Sequence, residues 1–356
     1  MKGLLLAGGY GTRLRPLTFT GNKHILPIAN KPMLFYGLEH LINAGISEIG
    51  VIIGPHKKDI IEALGNGSKF GVKITYIEQP TPLGLAHAIM LAEQFIAEEP
   101  FVMYLGDNLL KQGIEPLIKE FTEGPKDCIV GISYSNTPSN YGVVVFDQNE
   151  KIITLIEKPK KYVSNWALIG VYVFNSSVFE ALKNIKPSER GEFEITDTIK
   201  WLHQTNHKVG VIKVQGWWKD TGKTLDILEA NQLVLKDQKT SLNGNISTKA
   251  KINHNVKIGK DTTIGKGVII NGPVIIGENC TITNGAIIGP YTSIADNVQI
   301  KHAIISNSII MEKTIIDCDI RLTDSLIGRE VIVKTKDKDP NEGHVLILGD
   351  KTTVLI

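Results

Sequence analysis

Three glycines, a threonine and an arginine follow the first apolar run in "GLLLAGGYGTRLRPLT", residues 3 to 18, and a lysine stands ten residues beyond the arginine. Gly8, Gly9 and Gly11 let backbone N–H groups approach an anion closely, Thr12 adds a hydroxyl, and the guanidinium of Arg13 is a forked donor matched to phosphate oxygens. Lys23 lies just before the apolar "ILPI" and offers a second positive charge. These types suit a polyphosphate. A glycine cluster after a first strand can also be a plain tight turn, and this one fits neither the dinucleotide pattern GxGxxG nor the P-loop pattern GxxxxGK[ST].

The elements that must position these residues change character along the chain. Up to about residue 237, short β-rich runs alternate with helical patterns. "EIGVIIG", "VKITYIEQ" and "FVMYLGDN" read as strands, and "MLFYGLEHLINAG", "DIIEALGNG" and "GIEPLIKEFTEG" as helices. This alternation, with near-continuous apolar strands, predicts an α/β domain built on a mostly parallel, Rossmann-like sheet covered on both faces. From "YGVVVFDQNEKIITLIEKP" the strands become hairpin-like and predict an antiparallel extension at one edge, and "TLDILEANQLVL" reads as a closing helix. The domain is thus expected over 1–237, a linker over 238–245, a second domain over 246–335 and terminal strands over 336–356.

In the second domain isoleucine recurs at 246, 252, 258, 264, 270, 276, 282, 288, 294 and 300, a strict spacing of six. Small or branched residues follow four positions after each, from Ala250 and Val256 to Val298 and Ile304. Six residues do not complete a whole number of 3.6-residue turns, so no α-helix keeps this period on one face. A short strand plus a corner, stacked coil on coil, does. The pattern resembles the hexapeptide left-handed parallel β-helix, with blurring after Ile310 read as a cap.

At 356 residues, 42% hydrophobic and 21% charged, the chain has the composition of a soluble two-domain protein. A net charge of +2 with interspersed signs points away from nucleic acid and from membrane surfaces. The apolar run Leu4 to Ala7 is too short for a signal peptide, and Cys128, Cys280 and Cys318 form no CxxC pair. A cytoplasmic setting with reduced thiols is expected.

"LLLAGGYGTRLRPLT" followed by "NKHILPIANKPML" resembles the sugar-phosphate nucleotidylyltransferases, which join a nucleoside triphosphate to a sugar 1-phosphate and release pyrophosphate. The segments "EQPTPLGLAHA", "LGDN", "YGVV", "IEKP", "ALIGVY", "RGEFEITD" and "WWKDTGK" extend the resemblance to the glucose-1-phosphate thymidylyltransferases, and the hexapeptide tail to their long form. The resemblance implies that Leu6, Ala7, Gly8, Gly9, Gly11, Thr12 and Arg13 hold dTTP. Arg13 and Lys23 would act on the reacting phosphate. Gln79, Pro80, Gly84 and Leu85 would read the base, and Asp107 and Asp220 would bind Mg²⁺. Asn108, Tyr141, Gly142, Glu157, Lys158, Ile169 and Gly170 would form the pocket for glucose 1-phosphate. His24 stands where this branch commonly has glutamine and is expected to contact the nucleotide.

The implied chemistry is attack of a sugar-phosphate oxygen on the α-phosphorus. Both reactants are anions, so positioned cations matter more than a general base, and no Ser–His or Cys–His pair is evident. Mg²⁺ takes one or two carboxylates with phosphate oxygens and water, which two aspartates satisfy. Asp107 could instead be a turn aspartate, Asp220 a loop residue, and the adjacent Glu157 and Lys158 a surface ion pair. Rival readings are transfer of UMP, AMP or GMP, including GDP-mannose formation, a second acyltransferase activity using His254 or His302, and a regulatory subunit with a dead site. The β-helix is expected to drive homo-oligomer assembly.

Overall fold

A computed structural model of the chain describes residues 1–334, so the strands expected over 336–356 lie outside the described residues. Two compact units emerge. One comprises Met1–Tyr10, Gly21–Ile25 and Met33–Asp220; the other comprises, of the described residues, Gly11–Thr20, Leu26–Pro32 and 221–334.

In the first unit the strands are β1 (Lys2–Ala7), β2 (Glu48–Ile53), β3 (Lys73–Glu78), β4 (Phe101–Leu105), β5 (Asn108–Leu110), β6 (Cys128–Tyr134), β7 (Gly142–Phe146), β8 (Ile152–Glu157), β9 (Trp166–Phe174), β10 (Val209–Lys213) and β11 (Trp218–Asp220). The helices are α1 (Met33–Asn43), α2 (Lys57–Leu64), α3 (Leu85–Leu91), α4 (Glu93–Ile96), α5 (Glu115–Thr122), α6 (Val178–Asn184) and α7 (Ile195–Gln204). Nine of the strands form one sheet in the order β8-β7-β9-β4-β1-β2-β3, with β6 also paired to β9 and β10 paired to β6. β1 pairs in parallel with β2 and β4, and β2 with β3.

The sheet is buried on both faces, as its continuous apolar strands require. Successive side chains alternate: Leu4 and Leu6 enter the cluster that includes Ile89, Ile195 and Ile199, while Leu5 and Ala7 enter the one that includes Leu34, Leu38 and Leu117. The β7–β8 hairpin lies at an edge, as the sequence predicts. Antiparallel pairing also reaches inside the sheet, because β9 runs antiparallel to both β4 and β6.

The second unit is the repeat. Its short strands form three parallel sheets, of six, six and five strands. Ile246 pairs with Ile264, Ile264 with Ile282, and Ile282 with Ile300, so each isoleucine stacks on its copy three hexapeptides later. Ile252, Ile270 and Ile288 form a second stack, and Ile258, Ile276 and Ile294 a third. The arrangement is that of a left-handed β-helix, whose interior is filled by fully buried Ile270, Ile282, Ile288, Ile294 and Ile300. Left-handed backbone at Asn255, Asp261, Asn279 and Asn297 turns the corners, a conformation Asn and Asp tolerate.

The coils continue through the blurring after Ile310. Ile300 pairs with Ile316, sixteen residues on, and Ile316 with Val333, seventeen on, so the coils shorten and the six-residue period is lost while the stack continues. The stretch read as a linker already contributes a strand, because Ser241–Leu242 pairs with Lys257–Ile258. The helix α8 (Thr224–Lys236) belongs with the repeat: its buried Asn231 donates to the Tyr291 carbonyl and accepts from Ser293 Oγ and from the Ala29 N–H.

Candidate functional site

β1 ends at Ala7, and the glycine loop begins at the carboxyl end of this central strand, where open α/β sheets bind ligands. Close approach dictates its glycines. A Cβ on Gly8 would lie 2.9 Å from Gln79 Oε1, and one on Gly9 would lie 3.4 Å from Lys23 Cε. The loop therefore meets two of the expected ligands at once.

Lys23 forms an ion pair and hydrogen bond with the Asp107 carboxylate, in the turn between β4 and β5, and Asn108 Nδ2 donates to the other Asp107 oxygen at 2.9 Å. Burial opposes ionisation of Asp107, but Lys23, His24 and the hydrogen bonds from Lys23 and Asn108 outweigh it and hold the carboxyl well below the usual carboxylate range. A cation already sits on this carboxylate.

Asp220 lies directly opposite Asn108 in the β5–β11 ladder, so the two aspartates stand at the same end of one small ribbon. Hard carboxylate oxygens, one of them cation-bound, are a donor set that fits Mg²⁺. Among the described residues no group of three or more His, Cys, Asp or Glu side chains is placed to hold a metal alone, so an ion here would need phosphate oxygens and water as well.

Arg13 falls in the other unit, with Thr12 on a 3₁₀ turn that follows Gly11, whose φ is +64°. Its guanidinium packs over the segment after Asp220: a Cβ on Gly222 would lie 3.1 Å from one of its nitrogens. Thr18 Oγ1 donates to the Gly11 carbonyl at 2.7 Å and closes this loop.

The expected sugar-phosphate residues gather around Glu157. Glu157 faces Gly142 across β7–β8, Thr196 Oγ1 donates to Glu157 Oε2 at 2.5 Å, and Lys158 Nζ lies 3.5 Å from Oε1. Any side chain at Gly142 would strike Thr196 and Glu157, at 2.5 and 2.9 Å. Lys158 itself has left-handed backbone, φ +41°, pinned by its N–H donating to the Tyr141 carbonyl. Glu157 and Lys158 are thus an ion pair, and Glu157 is also held by Thr196 and Arg190.

Some expected residues sit differently. Ile169 is fully buried among Val171, Leu117 and Ile129, with its Cδ1 against Gly131, so its side chain cannot touch a sugar. Gly170, at φ +75°, lies in the irregular register of β9 and packs against Leu105. Leu6 and Ala7 are core residues that can offer only backbone, and Pro80 is exposed in the loop after β3. His24, expected at the nucleotide, is buried. Its N–H and Nδ1 both meet Asn22 Oδ1, at 2.9 and 2.8 Å, and its ring packs beneath Gly106. Burial first, then the Lys23 charge, pushes its pKa down to about 3, so the ring is neutral with Nδ1–H as the donor.

Other contributors escaped the sequence. Trp218 Nε1 donates to Asn108 Oδ1 at 2.7 Å while its ring meets Tyr141 edge-on at 4.9 Å. Arg190 bridges Glu157 and Glu194, at 3.4 and 3.2 Å. Both lie in segments read as motifs, "WWKDTGK" and "RGEFEITD", so the signal was present without a residue attached to it.

Residues 2–237 match the nucleotidyl transferase family, and residues 270–354 match the family described as the GMPPB C-terminal domain. The chain is 43% identical over 354 residues, 99% of both chains, to the low-salt glycan biosynthesis nucleotidyltransferase Agl11 of Haloferax volcanii. It is 40% identical to a glucose-1-phosphate thymidylyltransferase of Streptomyces antibioticus, over 100% of this chain and 99% of the other. A crystal structure described as a Bacillus anthracis glucose-1-phosphate thymidylyltransferase with sucrose superposes with a TM-score of 0.63 at 38% identity, covering 68% of this chain and 98% of that one. Glycine loop, paired lysine and aspartate, and sequence kinship over the full length agree: this chain is an enzyme of the nucleotidyl transferase family.

Proposed function

We propose that the enzyme transfers a thymidylyl group from dTTP to α-D-glucose 1-phosphate, giving dTDP-glucose and pyrophosphate. The observation that carries the reading is the convergence of the Gly8–Gly9 loop, Lys23 and Asp107 at the end of the central strand. The relatives named for this reaction support the choice of substrates.

In this reading backbone N–H groups of the loop bind the triphosphate, and Arg13 and Lys23 neutralise charge at the α-phosphoryl as the sugar phosphate attacks. Lys23 leaves Asp107 for phosphate when the nucleotide binds. Asp107 and Asp220 would hold Mg²⁺, which supplies charge neutralisation and a template for the phosphate oxygens. Lys158 binds the sugar phosphate's anion. Glu157, oriented by Thr196 and Arg190, accepts hydrogen bonds from sugar hydroxyls, and Trp218 fixes Asn108 beside Asp107. The sugar phosphate is already ionised at neutral pH, so no general base is assigned. The β-helix carries homo-oligomer assembly, to be read as a multiple of the chain mass in light scattering, and the enzyme works in the cytoplasm.

Pyrophosphate release with glucose 1-phosphate and Mg²⁺, compared across dTTP, UTP, ATP, GTP and CTP, tests the reading. A dTTP preference of about tenfold, roughly 1.4 kcal/mol at the transition state, is the expected result. Equal rates with dTTP and UTP would make it a broader pyrimidine nucleotidyltransferase, and no release with any of the five would sink it.

A further inference from the structure

Gln79 is buried at the end of β3, its N–H bonded to the Ile53 carbonyl, and its side-chain amide has a fixed sense. Nε2 lies 3.4 Å from the Gly84 carbonyl and 3.1 Å from His87 Nδ1. A carbonyl only accepts, so the amide nitrogen is the end turned to Gly84. With Nε2 as donor, His87 Nδ1 must be the acceptor, which leaves the ring proton on Nε2. Both amide hydrogens are committed. Oε1 points the other way, toward Gly8 of the phosphate loop.

The frame around this amide is rigid. The His87 ring, on the first turn of α3, stacks on Phe193 at 6.5 Å and 24°. Phe193 in turn donates its N–H to the Leu83 carbonyl at 2.8 Å and accepts from the Ala86 N–H at 3.1 Å. Gly84, at φ +107°, lies so close that a Cβ would stand 2.4 Å from the Phe193 carbonyl oxygen. The loop from 80 to 84 cannot drift without breaking these contacts.

We propose that His87 is a positioning residue that, with the Gly84 carbonyl, locks the Gln79 amide so that the base pocket presents an acceptor. The inference rests on the nucleotide reading above. An acceptor suits a base with a ring N–H, as thymine and uracil have at N3. Cytosine carries a lone pair at N3 and would face Oε1 acceptor to acceptor. To receive cytosine the amide must turn over, which breaks both Nε2 hydrogen bonds and sets Oε1 against the Gly84 carbonyl. His87 therefore selects through Gln79 without touching the base.

The test is kcat/KM for dTTP, UTP and CTP in pyrophosphate release by the full-length enzyme, with glucose 1-phosphate. His87→Phe keeps a ring against Phe193 and His87→Leu does not, but both delete the acceptor. Each should lose at least about tenfold of the dTTP-over-CTP preference, the scale of one misdirected buried hydrogen bond. CTP use should rise as dTTP use falls. His87→Asn, which can place Oδ1 where Nδ1 stands, should retain the preference. If Phe and Leu variants lower all three nucleotides alike and leave the ratio unchanged, His87 is merely structural and the proposal falls. If the wild-type enzyme turns over neither dTTP nor UTP, the nucleotide reading itself has failed and the inference falls with it. Preference retained in the wild type and in both variants overturns the role of His87 alone.

Discussion

The catalytic unit and the β-helix solve opposite problems with similar strands. In the β-helix a residue meets copies of itself: Ile270 lies between Ile252 and Ile288, and Asn253 donates to Asn271 eighteen residues on. In the catalytic unit unlike polar residues from distant parts of the chain meet, as Lys23 meets Asp107 and Trp218 meets Asn108. Repetition distributes stability evenly and leaves no residue special. Chemistry needs the reverse, unlike groups gathered at strand ends, with glycines where backbones crowd.

The two regions also report separately. All four tryptophans, Trp166, Trp201, Trp217 and Trp218, lie in the catalytic unit, so fluorescence follows it while far-UV circular dichroism follows both. The largest expected effect falls on the β-helix. Ile288→Ala removes a fully buried side chain between two stacked neighbours and should destabilise the coils by about 2–5 kcal/mol. A lowered circular-dichroism transition with kcat/KM kept at 25 °C is the expected pattern. A tryptophan transition that falls equally would show that the two units unfold as one.

Arg13→Ala should do the opposite: kcat down on the order of 100-fold, about 2.7 kcal/mol, with both thermal transitions unmoved. An unchanged kcat with a raised KM would remove its transition-state role.

How far the sequence revealed each region follows from the same contrast. The β-helix was legible because one period, seen ten times, fixes strand, corner and interior position together. It stopped being legible where coils shorten from eighteen residues to sixteen or seventeen, and at Ser241–Leu242, which is too short to carry a period. In the catalytic unit, Gly8, Lys23 and Asp107 were legible as motif residues. Trp218 and Arg190 were not, because their roles depend on partners that no local pattern announces, Asn108 and Glu157, 110 and 33 residues away. The burial of His24 and Ile169 was not legible for a related reason. A residue beside a ligand in sequence can point into the protein, and only packing decides which way.

His24 carries the next effect. Its pKa is near 3 when folded and about 6.5 when unfolded. As pH falls below 6.5 the unfolded chain takes up a proton that the native ring refuses, so stability declines with falling pH through this window and is fully present above it. Between pH 7 and pH 5 the loss should be about 2 kcal/mol, read by denaturant unfolding followed through tryptophan fluorescence. His24→Gln should remove that difference. An equal pH slope in the variant would show that other groups set the acid sensitivity of this unit.

A smaller effect is expected at the sugar end. Lys158→Ala should raise KM for glucose 1-phosphate roughly tenfold, about 1.4 kcal/mol, with little change in KM for dTTP. Equal changes for both substrates would return Lys158 and Glu157 to the surface ion pair that their 3.5 Å contact alone describes.

The smallest effect tests whether the corners of the β-helix are chosen residue by residue or only by period. Asn279 is exposed at a corner with φ +54°, and its N–H donates to the Lys260 carbonyl of the neighbouring coil. Left-handed backbone costs an ordinary L-residue about 1 kcal/mol or more and costs glycine nothing. Asn279→Ala should therefore lower β-helix stability by about 1 kcal/mol, while Asn279→Gly, which keeps the backbone hydrogen bond, should match the wild type. If both variants are equally unstable, the Asn side chain itself holds the corner, and the repeat is less interchangeable than its isoleucines suggest. If neither differs from wild type, the stacked strands alone impose the turn, and corner residues are free to vary in a way that no residue of the Lys23–Asp107 turn could be.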